Sequence, residues 1–283
     1  MIKYFLVAGL LLSGCSSEKL DSSAPDLLDS PTTAPPLSLY TFDCGSIEVS
    51  DLDVFSSTGD YVGQQDTLTN TCYLIRHPKG DLLWDLGLPQ GLAGAGPQTE
   101  GIFTMSLEKT LTEQLADIGL SAKDIEFISI SHSHFDHSGQ AALFPDSQWL
   151  VNKNEFDYMF GSDANKAQNV AFTELNKSIH SGNYDVFGDG SVVILELPGH
   201  TPGHSALQVN LVESGPILLT GDLYHRSESR ELKRVPRFNS DEAQTRESME
   251  IFEALARESG ARVIIQHEPR DIATLPKSPA FLQ

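Results

Sequence analysis

A chain of 283 residues, 40% of them hydrophobic and 20% charged, is long enough for one large domain with a buried core, and its make-up is not that of a disordered or fibrous protein. Its formal net charge of −20, from 39 acidic against 19 basic residues, opposes binding to nucleic acid or to an anionic lipid surface through a basic patch, and leaves neutral or weakly charged small molecules as partners. Nine histidines beside three cysteines exclude a four-cysteine structural zinc site by count and favour metal chemistry through imidazole and carboxylate, donors that suit zinc, iron, manganese or cobalt.

At the N-terminus, Lys3 supplies a short positive region and Tyr4 to Leu12 an apolar stretch too short to span a bilayer, so residues 1–14 are expected to be an export signal. Leu12-Ser13-Gly14-Cys15 resembles a bacterial lipobox, which implies cleavage before Cys15 and a lipid anchor on its sulfur. By the same resemblance, Ser16 implies the outer membrane of the cell envelope, facing the periplasm. An ordinary secretory signal with a chance cysteine is the competing reading. Residues 15–36, rich in Ser, Pro, Thr and Asp, are expected to be a flexible tether, and residues 37–283 one folded domain. Cys44 and Cys72 remain, and in an exported protein a disulfide and a pair of buried thiols on neighbouring strands are both open.

Along the domain, Leu39 to Phe42, Cys72 to His77 and Asp81 to Trp84 have the pattern of strands, the last two joined by a Pro78-Lys79-Gly80 turn. The stretch from Leu92 to Met105, Gly-rich and then apolar, is either a flap over the substrate or a plain surface loop. Ser106 is expected to cap a helix whose Leu107, Leu111, Leu115 and Ile118 repeat at helical spacing before Gly119. Ile125 to Ile130 is a nearly continuous apolar run, as in a strand buried between layers. Val192 to Leu197, His204 to Val209 and Ile217 to Thr220 are further predicted strands. Ser240 is expected to cap a long helix ending before Gly260, and Arg262 to Gln266 a last strand. Strands followed by alternating helix and strand place the domain in the α/β class.

The strongest chemical signal is Ser131-His132-Ser133-His134-Phe135-Asp136-His137, directly after the buried strand. In extended chain, residues two apart point the same way, so His132 and His134 can grip one ion; as the chain turns, Asp136 and His137 can face a second. More ligands are available at other strand ends, where α/β folds gather function. Leu197-Pro198-Gly199-His200-Thr201-Pro202-Gly203-His204 carries two histidines, either of which can be a ligand. Thr220-Gly221-Asp222 places a carboxylate able to bridge two cations, and Ile264-Ile265-Gln266-His267 ends in a histidine.

This ordered set, His-x-His-x-Asp-His, then Pro-Gly-His-Thr-Pro-Gly-His, Gly-Asp and a late histidine, resembles the metallo-β-lactamase superfamily from about Leu39 to His267. The resemblance implies an αββα four-layer sandwich with two divalent ions, zinc first among them, at one edge of its sheets. Carried over by position, it implies that His132, His134 and His204 hold the first ion, Asp136, His137 and His267 the second, with Asp222 bridging. His200 would then stand behind the ligands or serve structure, and Asp85, in Trp84-Asp85-Leu86-Gly87, would orient a ligand histidine.

Asp222 counts against the antibiotic-hydrolysing branch, His134 against the redox branch, and the acidic balance against the nucleases. The chain is most similar to the N-acyl homoserine lactonases, on Cys72-Tyr73-Leu74-Ile75, Leu83 to Gly87, Ser131 to Gly139, the repeated Pro-Gly-His and Gly221-Asp222-Leu223-Tyr224. That resemblance implies a quorum-quenching hydrolase opening a lactone ring with a metal-bridging hydroxide, Asp136 or Asp222 carrying the proton. The lactonase pattern has a tyrosine three residues after the bridging aspartate, whereas here Tyr224 is two after and His225 three after. Tyr224 is the first candidate for the donor that steadies the oxyanion and His225 the second. A glyoxalase-II-like thioesterase, a broad esterase on the same site, and a zinc-carrying lipoprotein without catalysis stay open.

Overall fold

The computed structural model describes residues 36–283; the expected signal, Cys15 and the expected tether up to Pro35 lie outside them. Strict alternation of side chains along each strand sorts the apolar residues into three layers of core. On β2 (Asp66–His77), Cys72 and Leu74 face outward to one cluster while Tyr73 and Ile75 face inward to another.

The first sheet opens with β1 (Ser38–Val49), β2 and β3 (Gly80–Trp84), and continues through β4 (Gln98–Glu100), β5 (Phe103–Ser106), β6 (Phe127–Ser129), β7 (Gln148–Asn152) and β8 (Lys177–His180). Its spatial order is β4-β5-β1-β2-β3-β6-β7-β8. The second sheet holds β9 (Tyr184–Asp185), β10 (Val192–Glu196), β11 (Ser205–Leu211), β12 (Gly215–Leu219) and β13 (Arg262–Ile264), and β14 (Phe281–Leu282) returns to β1 of the first. Helices follow as α1 (Leu111–Asp117), α2 (Phe135–Ser138), α3 (Lys153–Phe160), α4 (Asp163–Gln168), α5 (Ser227–Leu232), α6 (Glu242–Ser259) and α7 (Pro269–Ile272).

Between the sheets lie Tyr73, Ile75, Leu82 and Trp84 from one side and Ile194, Leu207, Val209, Ile217 and Leu219 from the other. On the outer face of the first sheet, Leu111 and Leu115 of α1 and Met159 of α3 cover Leu74, Leu83 and Trp149. On the outer face of the second, Met249, Phe252 and Ala256 of α6 cover Leu195, Ala206 and Leu218. Helix, sheet, sheet, helix is the αββα sandwich.

Two helix starts differ from expectation. The chain through Ser106 is strand, because Phe103–Ser106 pairs antiparallel with Val49–Ser46 of β1, and the helix begins only at Leu111 behind a Thr110–Glu113 capping box. Leu107 fell at helical spacing by coincidence. The long helix is capped by Asp241 rather than Ser240, through its carboxylate to the Gln244 N–H. The Leu92 to Met105 stretch contains a hairpin, β4 paired with β5, that extends the sheet rather than hanging as a loop. Cys44 and Cys72 form a disulfide across β1 and β2, both residues fully buried.

Candidate metal centre

The chemistry-bearing loops all leave the carboxyl ends of strands: residues 131–137 after β6, 198–204 after β10, 220–222 after β12 and 265–267 after β13. β10 and β12 both run antiparallel to β11 and β13 pairs parallel with β12, so their ends share one edge, and the Ser205 N–H bond to the Ser131 carbonyl ties that edge to the end of β6. Gly221 allows the third loop to close in: its φ is +54°, and a Cβ there would lie 2.7 Å from His204 Nε2 and 2.8 Å from Ser131 Cβ.

Two groups of donors result, His132, His134, His200 and Asp222 in one and Asp136, His137 and His267 in the other, with the donor atoms of each group within 4.8 Å of one another. In the first, His134 Nδ1 lies 2.8 Å from His132 Nε2 and 3.1 Å from His200 Nε2. In the second, His137 Nε2 and His267 Nε2 are 3.2 Å apart, each 3.6 Å from Asp136 Oδ2. Asp222 stands between them. Its Oδ2 is 3.5 Å from His132 Nε2 and 3.4 Å from His200 Nε2, while its Oδ1 is 3.1 Å from His137 Nε2 and 2.9 Å from His267 Nε2.

The donor set fits divalent metal ions. Among the described residues, buried Asp222 Oδ1 makes no aligned hydrogen bond despite two imidazoles within reach, so it points into the space between them, where a cation would satisfy it. The far nitrogens are held by the protein, which aims the near ones inward. His267 Nδ1 is 2.8 Å from the Thr69 carbonyl, His137 Nδ1 3.0 Å from Asp85 Oδ2, His132 Nδ1 3.1 Å from Ser131 Oγ and His200 Nδ1 3.3 Å from Asn239 Oδ1. Asp85 also accepts from the Ser131 N–H at 2.6 Å and from Gln266 Nε2 at 2.7 Å, and takes a left-handed backbone (φ 58°) to do so.

Charge in the group is finely opposed. Burial resists charging His137, but Asp222, Asp136 and Asp85 together outweigh it and hold that imidazole well above its ordinary pKa of 6.5. Burial, helped by His200, pushes His134 down to about 3.

Two expectations are corrected here. His204 does not join the first group and His200 does. The Leu197 N–H bonds to the His204 carbonyl, one step beyond the Glu196–Ser205 pair that ends the β10–β11 ladder, so His204 is held against the sheet. Its ring lies beneath the turn, with Nδ1 donating to the Leu197 carbonyl at 2.9 Å and Nε2 accepting from the Asp222 N–H at 3.0 Å, which leaves neither nitrogen for an ion. His204 thus sets the backbone that carries Asp222. The second correction concerns Tyr224, which is extended (φ −139°, ψ 139°) and so sends its side chain opposite to that of its neighbour. Tyr224 packs against Phe252 under α6 with its hydroxyl donating to Glu253 Oε1 at 3.1 Å. His225 faces the centre, with Nε2 3.0 Å from Asp222 Oδ2 and its ring stacked on that of His267.

Above the donors opens a cavity of about 260 Å³, floored by His134, Asp136, Asp222, His225 and His267. Ile47, Leu68, Phe55, Phe103, Phe135 and Phe238 form its walls. Phe55 and Phe238 meet edge to face at 5.3 Å, brought together by ion pairs of Arg237 with Asp53 and Arg234 with Asp60. This aromatic wall was not visible in the sequence, since its members come from four separate segments. Only the apolar end of the Leu92 to Met105 stretch pointed to it, and Phe103 supplies that contact.

A sandwich whose edge gathers two donor groups around one shared aspartate, beneath an apolar cavity, defines a metal-dependent hydrolase. The chain belongs to the metallo-beta-lactamase superfamily, whose family model matches residues 66–267. The N-acyl homoserine lactonase AttM of Azorhizobium caulinodans is 27% identical over 260 residues, covering 86% of this chain and 97% of that protein. An N-acyl homoserine lactonase of a Bacillus species is 31% identical over 165 residues, 56% of this chain and 65% of that one. A solved N-acyl homoserine lactone hydrolase, with N-hexanoyl-L-homoserine bound at its catalytic metal centre, superposes with a TM-score of 0.77 at 24% identity, covering 88% of this chain and 100% of that one. AidC, a dizinc quorum-quenching lactonase, superposes with a TM-score of 0.68 at 18% identity, covering 88% and 94%. These two likenesses carry the fold.

Proposed function

We propose that this protein opens the lactone ring of N-acyl homoserine lactones, with two zinc ions held by His132, His134 and His200 on one side, Asp136, His137 and His267 on the other, and Asp222 between. The observation that carries the reading is the cavity: an apolar, aromatic-walled space with the donor groups as its floor suits a small uncharged ester bearing an acyl chain. The relatives named as N-acyl homoserine lactonases that align with most of this chain support it.

When bound, the ions supply Lewis-acid polarisation of the ester carbonyl and make hydroxide available near neutral pH. The remaining work belongs to the chain. Asp222 presents one oxygen to each donor group and fixes their separation. Asp136 lines the cavity floor, where its carboxylate can accept the attacking water's proton and return it to the leaving alkoxide of the opened ring. His225 borders the same floor; burial holds its pKa below 6.5, so a neutral imidazole is available to donate a hydrogen bond to the developing oxyanion. The aromatic walls hold the acyl chain and exclude water.

We place the protein in the bacterial cell envelope, anchored through a lipid on Cys15 at the outer membrane. The buried Cys44–Cys72 disulfide supports an oxidising compartment.

The test is hydrolysis of a medium-chain N-acyl homoserine lactone beside thioester and phosphodiester substrates, with His132→Ala and a chelated sample as controls. Lactone turnover that vanishes in both controls is expected. Faster turnover of the thioester would replace the lactonase reading with a thioesterase, and bound metal with no ester turnover would leave a metal carrier.

A further inference from the structure

The second donor group is braced by Asp85, but the first contains two histidines on one loop and one on another. Beside a backbone bond from the Ser205 N–H to the Ser131 carbonyl at 2.8 Å, Glu155 joins those loops. It is the third residue of α3, where a glutamate ordinarily folds back to cap its own helix. Here Asn152 supplies the cap through its side chain to the Asn154 N–H, and Glu155 is 2% exposed and turned away from the helix. Its Oε1 accepts from the Ser133 N–H at 2.7 Å, between His132 and His134. Its Oε2 accepts from Thr201 Oγ1 at 2.7 Å and from the Gly203 N–H at 3.0 Å, on the loop that carries His200.

We propose that Glu155 is the positioning residue of the first metal site, a single carboxylate that locks the His132–His134 loop to the His200 loop and so sets the separation of its three imidazoles. All three partners are donors, so the position requires a side chain with two acceptor atoms and no donor. An amide would turn an NH₂ toward an N–H or an O–H at one end. The loop approaches so closely that a Cβ on Gly203 would lie 2.1 Å from Glu155 N and 2.6 Å from its Cα, which accounts for the second glycine of Pro-Gly-His-Thr-Pro-Gly-His. The topology makes the contact possible: β7 lies parallel beside β6, so the start of α3 emerges at the same sheet edge as the histidine loop. Each half of the centre thus has its own buried carboxylate, Asp85 behind His137 and Glu155 between the loops of His132, His134 and His200.

The inference rests on the reading of His132, His134, His200 and Asp222 as a metal site. Its test is titration of the metal-free full chain with Co²⁺, following the visible spectrum and chelator competition, in wild type, Glu155→Gln and Thr201→Val. Wild type is expected to take two ions. Glu155→Gln should bind one of them 10- to 100-fold more weakly, on the order of losses at residues that support metal ligands, with a changed spectrum for that ion alone. Thr201→Val, which removes one donor of three, should show a smaller loss at the same ion. Near-UV circular dichroism and cooperative melting of the metal-free proteins report folding. If Glu155→Gln does not melt cooperatively, Thr201→Val decides, and unchanged affinity there overturns the proposal. Two ions held by Glu155→Gln as tightly as by wild type, or both weakened equally, overturn the role of Glu155 while leaving the two-metal reading intact. A wild-type chain that takes up fewer than two ions overturns that reading and the proposal with it.

Discussion

Removing the Cys44–Cys72 bridge tests how the middle of the first sheet is held to the site. The two cysteines are 28 residues apart in sequence, and closing a loop of that length in the unfolded chain is worth about 3.5 kcal/mol of stability on the chain-entropy account. The double variant Cys44→Ala/Cys72→Ala also deletes two fully buried sulfur atoms, each adding roughly 1 kcal/mol by comparison with deletion of a buried methyl group. A total loss of about 5.5 kcal/mol takes a large share of the stability of an ordinary domain. The bridge also abuts Gly87, where a Cβ would meet Cys44 Cβ at 2.6 Å, and the Leu88 N–H bonds to the Cys44 carbonyl. Loosening it therefore loosens the turn that follows Asp85. Urea unfolding of wild type and double variant, both with saturating metal, measures the loss, and thiol titration of the unfolded wild type counts free cysteines. A loss below about 1 kcal/mol, or two free thiols in wild type, would refute the reasoning.

Two more outcomes follow from side chains near the site. Tyr224→Phe should leave turnover unchanged and cost about 1 kcal/mol, the worth of its hydroxyl's bond to Glu253, whereas His225→Phe should lower kcat roughly 100-fold or more with its metal content intact; steady-state kinetics with metal analysis separates them, and the opposite ranking would restore Tyr224 as the donor. The Arg230 guanidinium holds the Glu253 carboxyl below its ordinary 4.5, a pull that exceeds the opposing effect of burial. Because the folded pKa is depressed, that pair's stabilisation is complete above about pH 4.5 and drains away as pH falls through the lower folded value. The gap in unfolding free energy between wild type and Glu253→Gln should be about 1 kcal/mol at neutral pH and close in acid, and a gap that widens on acidification would contradict the assignment.

The two corrections at the centre show where residue order stops being informative. His200 and His204 are the same residue type in one turn, and the backbone bond between Leu197 and His204, just past the end of the ladder, separates the one that faces the centre from the one that lies under it. Tyr224 and His225 are adjacent, and the extended backbone at Tyr224 sends their side chains to opposite sides. Glu155, three residues after Asn152, has the spacing of a helix cap, so its reach across two loops left no trace in the local pattern.

What the sequence by itself determined is the chemistry available: histidines and carboxylates clustered at strand ends, in an order that marks the superfamily, on strands whose alternation already commits one face inward. Those features are local, because ligand type and strand periodicity are properties of neighbouring residues. Which nitrogen meets which partner, how Phe55 and Phe238 come to share a wall across 183 positions, and which carboxylate locks the two histidine loops together were decided only in the tertiary structure. Such contacts depend on strand register and on the packing of one layer against the next, and neither leaves a mark on the short stretch of chain that carries the side chain.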